Sequence, residues 1–154
     1  MARMLPPEPW IRTKSPAEIA LFWKLQSELD HTWVVLHSVG VAEIRNKPWS
    51  EIDFVCISPS GIYCIEVKGG GITRQDGAWI QTNRRGEEFR SNQSPFEQVQ
   101  AASTALQQFL WNQGVEVIRW RHTVVGYGVA TPDIQFDVRG PDILEEVVYD
   151  VSNV

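Results

Sequence analysis

Cysteine is scarce in this chain: Cys56 and Cys64 are the only two in 154 residues. A disulfide scaffold is therefore not expected. Long hydrophobic runs are missing too. The longest apolar stretches are strand-length, far short of the roughly 20 residues that a membrane helix needs, so no membrane partner is expected. The opening Met-Ala-Arg-Met-Leu-Pro-Pro-Glu-Pro-Trp is too proline-rich and too poor in apolar residues for a signal peptide. With neither an export signal nor a disulfide framework, the chain reads as cytoplasmic. Internal repeats and low-complexity tracts are absent. An excess of positive charge is also lacking: 14 Lys and Arg stand against 19 Asp and Glu, a net charge of −5. That balance argues against unaided binding of a polyanion, although metal ions or an attached basic domain could offset it.

What remains is an ordinary globular composition. Apolar content of 43% and charged content of 21% suit one domain with a real core. The most informative stretch is Glu51-Ile-Asp-Phe-Val-Cys-Ile-Ser-Pro-Ser-Gly-Ile-Tyr-Cys-Ile-Glu-Val-Lys68. It reads as two strands joined at Ser58-Pro59-Ser60-Gly61, a good turn sequence. The flanks are β-branched, aromatic and nearly continuous in apolar residues, as in strands covered on both faces. If Ser58 to Gly61 form the loop, Ile57 faces Ile62. Counting back, Asp53 faces Glu66 and Glu51 faces Lys68. Directly opposed side chains have Cβ atoms roughly 4.5–5.5 Å apart. Asp53, Glu66 and Lys68 then share one face, while Cys56 and Cys64 point to opposite faces and should not pair. Two carboxylates this close repel each other and lose hydration. A divalent cation between them removes both costs, and oxygen ligands suit Mg²⁺ (or Mn²⁺), which keeps several waters. Lys68 would stand beside it, able to contact a phosphate or a water.

Other elements follow from local signals. Residues 1–14 hold three prolines and read as an irregular arm. Ser15-Pro16 opens a helix to about Leu29, with Phe22, Leu25 and Leu29 as its inner stripe. Glu18 is either a first-turn acid that favours the helix dipole or a carboxylate aimed at the sheet. Thr32 to Val41 reads as a strand, and Arg45-Asn46-Lys47-Pro48 as a loop. Gly69 to Gly71 are either a flexible strand end or a backbone bare enough for a nucleic-acid strand to approach; without GxxxxGK[ST] they are no P-loop. Ile72 to Arg90 reads as strand, turn, strand. Arg74, Arg84, Arg85 and Arg90 lie there with Trp79. They could track a phosphate backbone and stack a base, but Asp76, Glu87 and Glu88 make a solvated hairpin the plainer reading. Ser94-Pro95 with Glu97 is a capping box. The helix it opens runs to about Asn112, with Gly114 as its stop and Val99, Ala102, Leu106, Phe109 and Leu110 as its apolar face. Gln98 sits in its first turn, where a solvated glutamine is the bland reading. Val124 to Ala130 is a further strand. Ile143 to Val151 is either a last strand or the lead into something beyond.

Pro16-Ala-Glu18, Glu51-Ile-Asp53-Phe-Val, Gly61-Ile-Tyr-Cys-Ile-Glu66-Val-Lys68-Gly69 and Ser94-Pro-Phe-Glu-Gln98 together resemble the nuclease-related domain (NERD) family. That family is a branch of the PD-(D/E)xK, or restriction endonuclease-like, superfamily. Ile52 stands where the superfamily name has proline, a position that varies. The resemblance implies an α/β (α+β) fold: a central mixed sheet of four to five strands flanked by helices, in the order αβββ(hairpin)αβ. That domain would cover residues 15–135, between the arm of 1–14 and a tail, or lead into a missing domain, at 136–154. It makes Asp53 and Glu66 metal ligands, with the Val67 carbonyl as a third. Lys68 becomes the catalytic lysine, Glu18 the acid of the first helix and Gln98 the site-facing amide of the second.

The implied activity is Mg²⁺- or Mn²⁺-dependent hydrolysis of a phosphodiester in nucleic acid, with DNA the first candidate, in a DNA-processing or defence system. Carboxylates beside an amine favour its charged form, so Lys68 is expected to orient water and stabilise charge rather than abstract a proton. Family members often precede a helicase or a kinase-like domain, which makes such a domain, in cis or in trans, a partner. With one site per chain, duplex cutting would take a homodimer or two events. Two other readings compete. One is a nuclease-fold module that binds nucleic acid without cutting. The other is a structural domain in which Glu51–Lys68 and Asp53 with an arginine form ordinary ion pairs.

Overall fold

The computed structural model describes residues 1–41, 50–116 and 123–153. The loop expected over residues 45–48 lies outside them. In chain order the elements are β1 (Arg3–Leu5), α1 (Pro16–Glu28), β2 (Val34–Val41), β3 (Ser50–Ser58), β4 (Gly61–Val67), β5 (Gly71–Gln75), β6 (Ala78–Thr82), β7 (Glu88–Ser91), α2 (Pro95–Asn112), β8 (Val124–Thr131), a 3₁₀ turn (Glu145–Val147) and β9 (Val148–Asp150). Six strands form one mixed sheet in the order β1-β2-β3-β4-β8-β9, and β5-β6-β7 form a small antiparallel sheet. The β2–β3 and β3–β4 pairs are antiparallel; β1–β2, β4–β8 and β8–β9 are parallel. This is the expected α+β architecture of two helices on a mixed sheet. Among the described residues, no helix is long and apolar enough to cross a membrane.

Both helix starts form as their caps dictate. The Ser15 hydroxyl accepts from the Glu18 N–H at 3.3 Å, with Pro16 in the first turn. Ser94 and Glu97 close a capping box. Gly114, at φ 76°, follows the end of α2 and supplies the left-handed turn that stops a helix. The sheet is covered on both faces, which explains why β3 and β4 read as continuous apolar runs. On one side Ala17, Leu21 and Phe22 of α1 pack on Val35, Phe54 and Cys56. On the other, Val99, Ala102 and Leu106 of α2 pack on Val55, Cys64 and Val129. Cys56 and Cys64 are free and belong to opposite layers.

Several expectations need correction. The arm is not wholly irregular, because Arg3–Leu5 pair with Val34–Leu36. Three residues before Pro6 are too few to show a period, and the pairing partner is remote in sequence. The sheet consequently has six strands rather than four or five, β9 supplying the last. Residues 136–150 also join the packing: Phe136 lies in the core and its N–H donates to the Asp150 carboxylate at 3.0 Å. Between Ile72 and Arg90 there are three strands, not two. Phe109, expected inside, is 52% exposed.

Candidate active site

The β3–β4 turn is tighter than a four-residue loop. Ser58 pairs with Gly61 across Pro59-Ser60, yet the register is the derived one, with Ile57 opposite Ile62. A Cβ on Gly61 would lie 2.8 Å from the Val124 carbonyl oxygen, so only glycine permits β8 to approach there. Pairing continues to Phe54 opposite Ile65 and then stops. One step further the register sets Asp53 level with Glu66. There the Val67 N–H donates to the Asp53 carboxylate at 2.7 Å. Ser38, level with Asp53 on the β2 side, has φ 57°. The side-chain alternation changes at this point. Phe54 packs in the α1 layer, whereas Ile52, two residues back, packs in the α2 layer. Asp53 therefore sits where the strands splay, and a polar cluster fits where ladder bonds have ended.

Glu66 is 5% exposed, and the Lys68 ammonium is ion-paired with its Oε1. The Lys68 N–H donates to the Ala130 carbonyl at 2.9 Å, which fixes the backbone beneath that amine. Burial pushes the Asp53 carboxyl up to about 8, and the charges of Glu66 and Glu18 add to this; the Val67 N–H and Lys68 oppose it. Three acids thus meet one ammonium. No group of three or more His, Cys, Asp or Glu among the described residues forms a ready-made metal cage. The chain instead offers two carboxylates, Asp53 and Glu66, and the resemblance would add the Val67 carbonyl to make a hard-oxygen set. That set fits Mg²⁺ or Mn²⁺, and a divalent charge would relieve the acid held neutral at Asp53.

Glu18 is held by a residue that the sequence reading passed over. His37 Nε2 lies 2.7 Å from Glu18 Oε1. With a carboxylate as acceptor, Nε2 is the nitrogen that carries the proton. Nδ1 is buried with no partner among the described residues, so a second N–H there would go unsatisfied. The ring is stacked on Phe54 at 4.9 Å and meets Phe22 edge-on at 5.3 Å, which locks its orientation. The signal was available: His37 shares parity with buried Val35 on β2, and so points at the helix that carries Glu18.

The remaining candidates divide. Gln98 is half-buried in the first turn of α2, and no hydrogen bond joins its amide to the acids. Glu51 is exposed and level with Gly40; Lys68 pairs with Glu66 instead. Among the described residues, neither ion pair that a purely structural reading wanted, Glu51–Lys68 or Asp53 with an arginine, is formed. Arg74 pairs with Asp142 and Arg84 with Asp133, both at 2.9 Å, while Arg85 is exposed. Trp79 is 4% exposed, packed with Phe96 and Phe136, so it offers no face to a base. Gly70 has a structural reason that neither reading of its run named. At φ 76°, with a would-be Cβ 2.1 Å from the Thr82 carbonyl oxygen, it lets the turn into β5 pass against β6.

No curated protein and no solved structure matches the chain. The family model of the nuclease-related domain matches residues 13–127, a span that starts just before the Ser15 cap, takes in Glu18, Asp53, Glu66, Lys68 and Gln98, and ends within β8. With most of its length matched, the chain belongs to the nuclease-related domain family.

Proposed function

We propose that this protein is a metal-dependent nuclease that hydrolyses phosphodiester bonds in nucleic acid, with DNA as its substrate. Family membership supports a nuclease-related function and contact with nucleic acid. The observation that carries the finer reading is Asp53, a half-buried carboxyl set level with buried Glu66 and pushed up to about 8, chiefly by desolvation. Asp53, Glu66 and the Val67 carbonyl would hold Mg²⁺ or Mn²⁺. When bound, such an ion polarises a phosphoryl oxygen and lowers the pKa of a coordinated water.

The chain's own groups do the positioning. The Val67 N–H fixes one oxygen of Asp53. Glu66 holds the Lys68 ammonium at the mouth of the site. From there Lys68 can donate to the attacking water and to the non-bridging oxygens that gain charge as the P–O bond breaks. Its ion pair with Glu66 holds the amine in place, and its role in this reading is to orient water and substrate. Glu18, anchored on His37, is a fixed acceptor for a further water. Gln98 at the start of α2 is the residue whose amide would reach the site with substrate present. Cleavage of both strands of a duplex would need a second copy of the chain or two successive events, and a helicase or kinase-like domain is the proposed partner.

The test is labelled DNA incubated with Mn²⁺ or Mg²⁺. Cleavage should appear with the metal, stop with chelator, and fall roughly a hundred-fold or more in Asp53→Ala and Lys68→Ala. If Asp53→Ala cuts as fast as the parent, the reading is wrong. Metal-dependent binding without any cut would favour a nuclease-fold binding module instead.

A further inference from the structure

A second feature adjoins the acid cluster. A cleft of about 640 Å³ is lined by Trp10, Arg12, Lys14, Glu18, Ser38 and Glu51, among others. Glu18 belongs to both the cleft and the acid cluster, so the two are continuous. The opposite wall is the segment between β1 and α1, where a Thr13 N–H to Trp10 carbonyl bond of 2.9 Å closes a turn. Trp10 is tethered: its indole N–H donates to the His37 carbonyl at 3.1 Å. The ring's one polar atom is thereby satisfied, yet the residue stays 52% exposed. A fixed indole with a free face is a stacking platform rather than a core residue. Arg12 and Lys14 are exposed and form no ion pair among the described residues, unlike Arg74 and Arg84.

We infer that the wall formed by Trp10, Arg12 and Lys14 seats the nucleic-acid strand that enters this site, with an unpaired base on Trp10 and phosphates on Arg12 and Lys14. The inference rests on the nuclease reading for its substrate class and goes beyond it in naming where and how the strand binds. Glu18 and Glu51 across the cleft repel phosphate, which confines the backbone to the cationic wall. A stacked base must be out of its pair, so the site prefers single strands or frayed ends to closed duplex. Arginine and lysine on phosphates read no base edges, so this contact is indifferent to sequence.

The test is binding of a fluorescein-labelled single-stranded 20-mer and its duplex, by anisotropy in chelator, where no cutting occurs. The single strand should bind the parent more tightly. Trp10→Ala should weaken single-strand binding about ten-fold, with Trp10→Phe restoring most of it because the ring face is kept. Arg12→Ala with Lys14→Ala should weaken it at least as much and reduce the salt slope by about 1.4. Arg84→Ala with Arg85→Ala should stay within about two-fold of the parent. The proposal is overturned if the parent binds no nucleic acid, if it prefers duplex, if the arm variants bind as the parent does, or if only the Arg84 and Arg85 pair matters. Cleavage is scored separately. A protein that binds through the arm and never cuts sinks the nuclease reading alone; one that cuts with unchanged affinity in the arm variants sinks this inference alone.

Discussion

The two sides of the acid cluster carry similar side chains in opposite states. On the small sheet, Trp79 is buried against Phe96 and Phe136, Arg74 lies over that indole at 5.5 Å, and Arg74 and Arg84 are each tied to an aspartate. On the arm, Trp10 is half-exposed and Arg12 and Lys14 have no ion-pair partner among the described residues. In the sequence the small sheet looks like the better nucleic-acid contact, because four arginines cluster around its tryptophan. Folding buries the tryptophan and ties Arg74 and Arg84 to aspartates, leaving only Arg85 and Arg90 exposed without an ion pair among the described residues. What makes a surface available is not which residues it contains but which of them already have partners.

The sharpest way to break this contrast is to truncate both tryptophans. Trp79→Ala should cost about 3–5 kcal/mol in urea unfolding, as expected for a large buried aromatic, whereas Trp10→Ala should change stability by about 1 kcal/mol or less. Similar losses would mean that the arm is core rather than surface. The acids between the two sides come next. Asp53 binds a proton in the fold up to about pH 8 but in the unfolded chain only up to about 3.8. Between those values the folded state holds more protons, so metal-free stability should fall as pH rises through that window. Asp53→Asn should match the parent near pH 4 and exceed it in stability by pH 8 in chelator; Mn²⁺ should stabilise the parent and not the variant. An unchanged gap across the window would remove the case for a buried acid.

Smaller effects sharpen the small-sheet side. Gly70→Ala should cost about 1–3 kcal/mol, because the residue is left-handed and faces the Thr82 carbonyl; a neutral result in thermal unfolding would mean that the turn relaxes freely. Least of all, Arg84→Ala should cost under about 1 kcal/mol, since the arginine of its pair with Asp133 is 61% exposed. A larger loss would show that this sheet depends on its ion pairs.

Much of the fold was legible because its signals are local. Ser15-Pro16 and Ser94-Pro95-Phe96-Glu97 cap helices through neighbours one turn away, and the Ser58 to Gly61 turn fixes a register that places Asp53 level with Glu66. β1 was not legible, and β9 was legible only as one of two readings of residues 143–151. Each is three residues long, and each is stabilised by a parallel partner remote in sequence. His37 was missed although its parity with Val35 put it on the face toward α1; its partner, the Glu18 carboxylate, comes from that helix and is not a neighbour in the strand. The stretch of glycines was legible as special but not for its reason, which is a backbone contact with β6.

Capping and turn chemistry act between neighbours in the chain, so the sequence by itself determined the helix starts, the hairpin and the register that sets Asp53 level with Glu66. The tertiary structure alone decided which cations remain free, which tryptophan shows a face, and that His37 steadies Glu18. Those outcomes depend on burial and on partners drawn from distant segments, and neither is a property of any local stretch of chain.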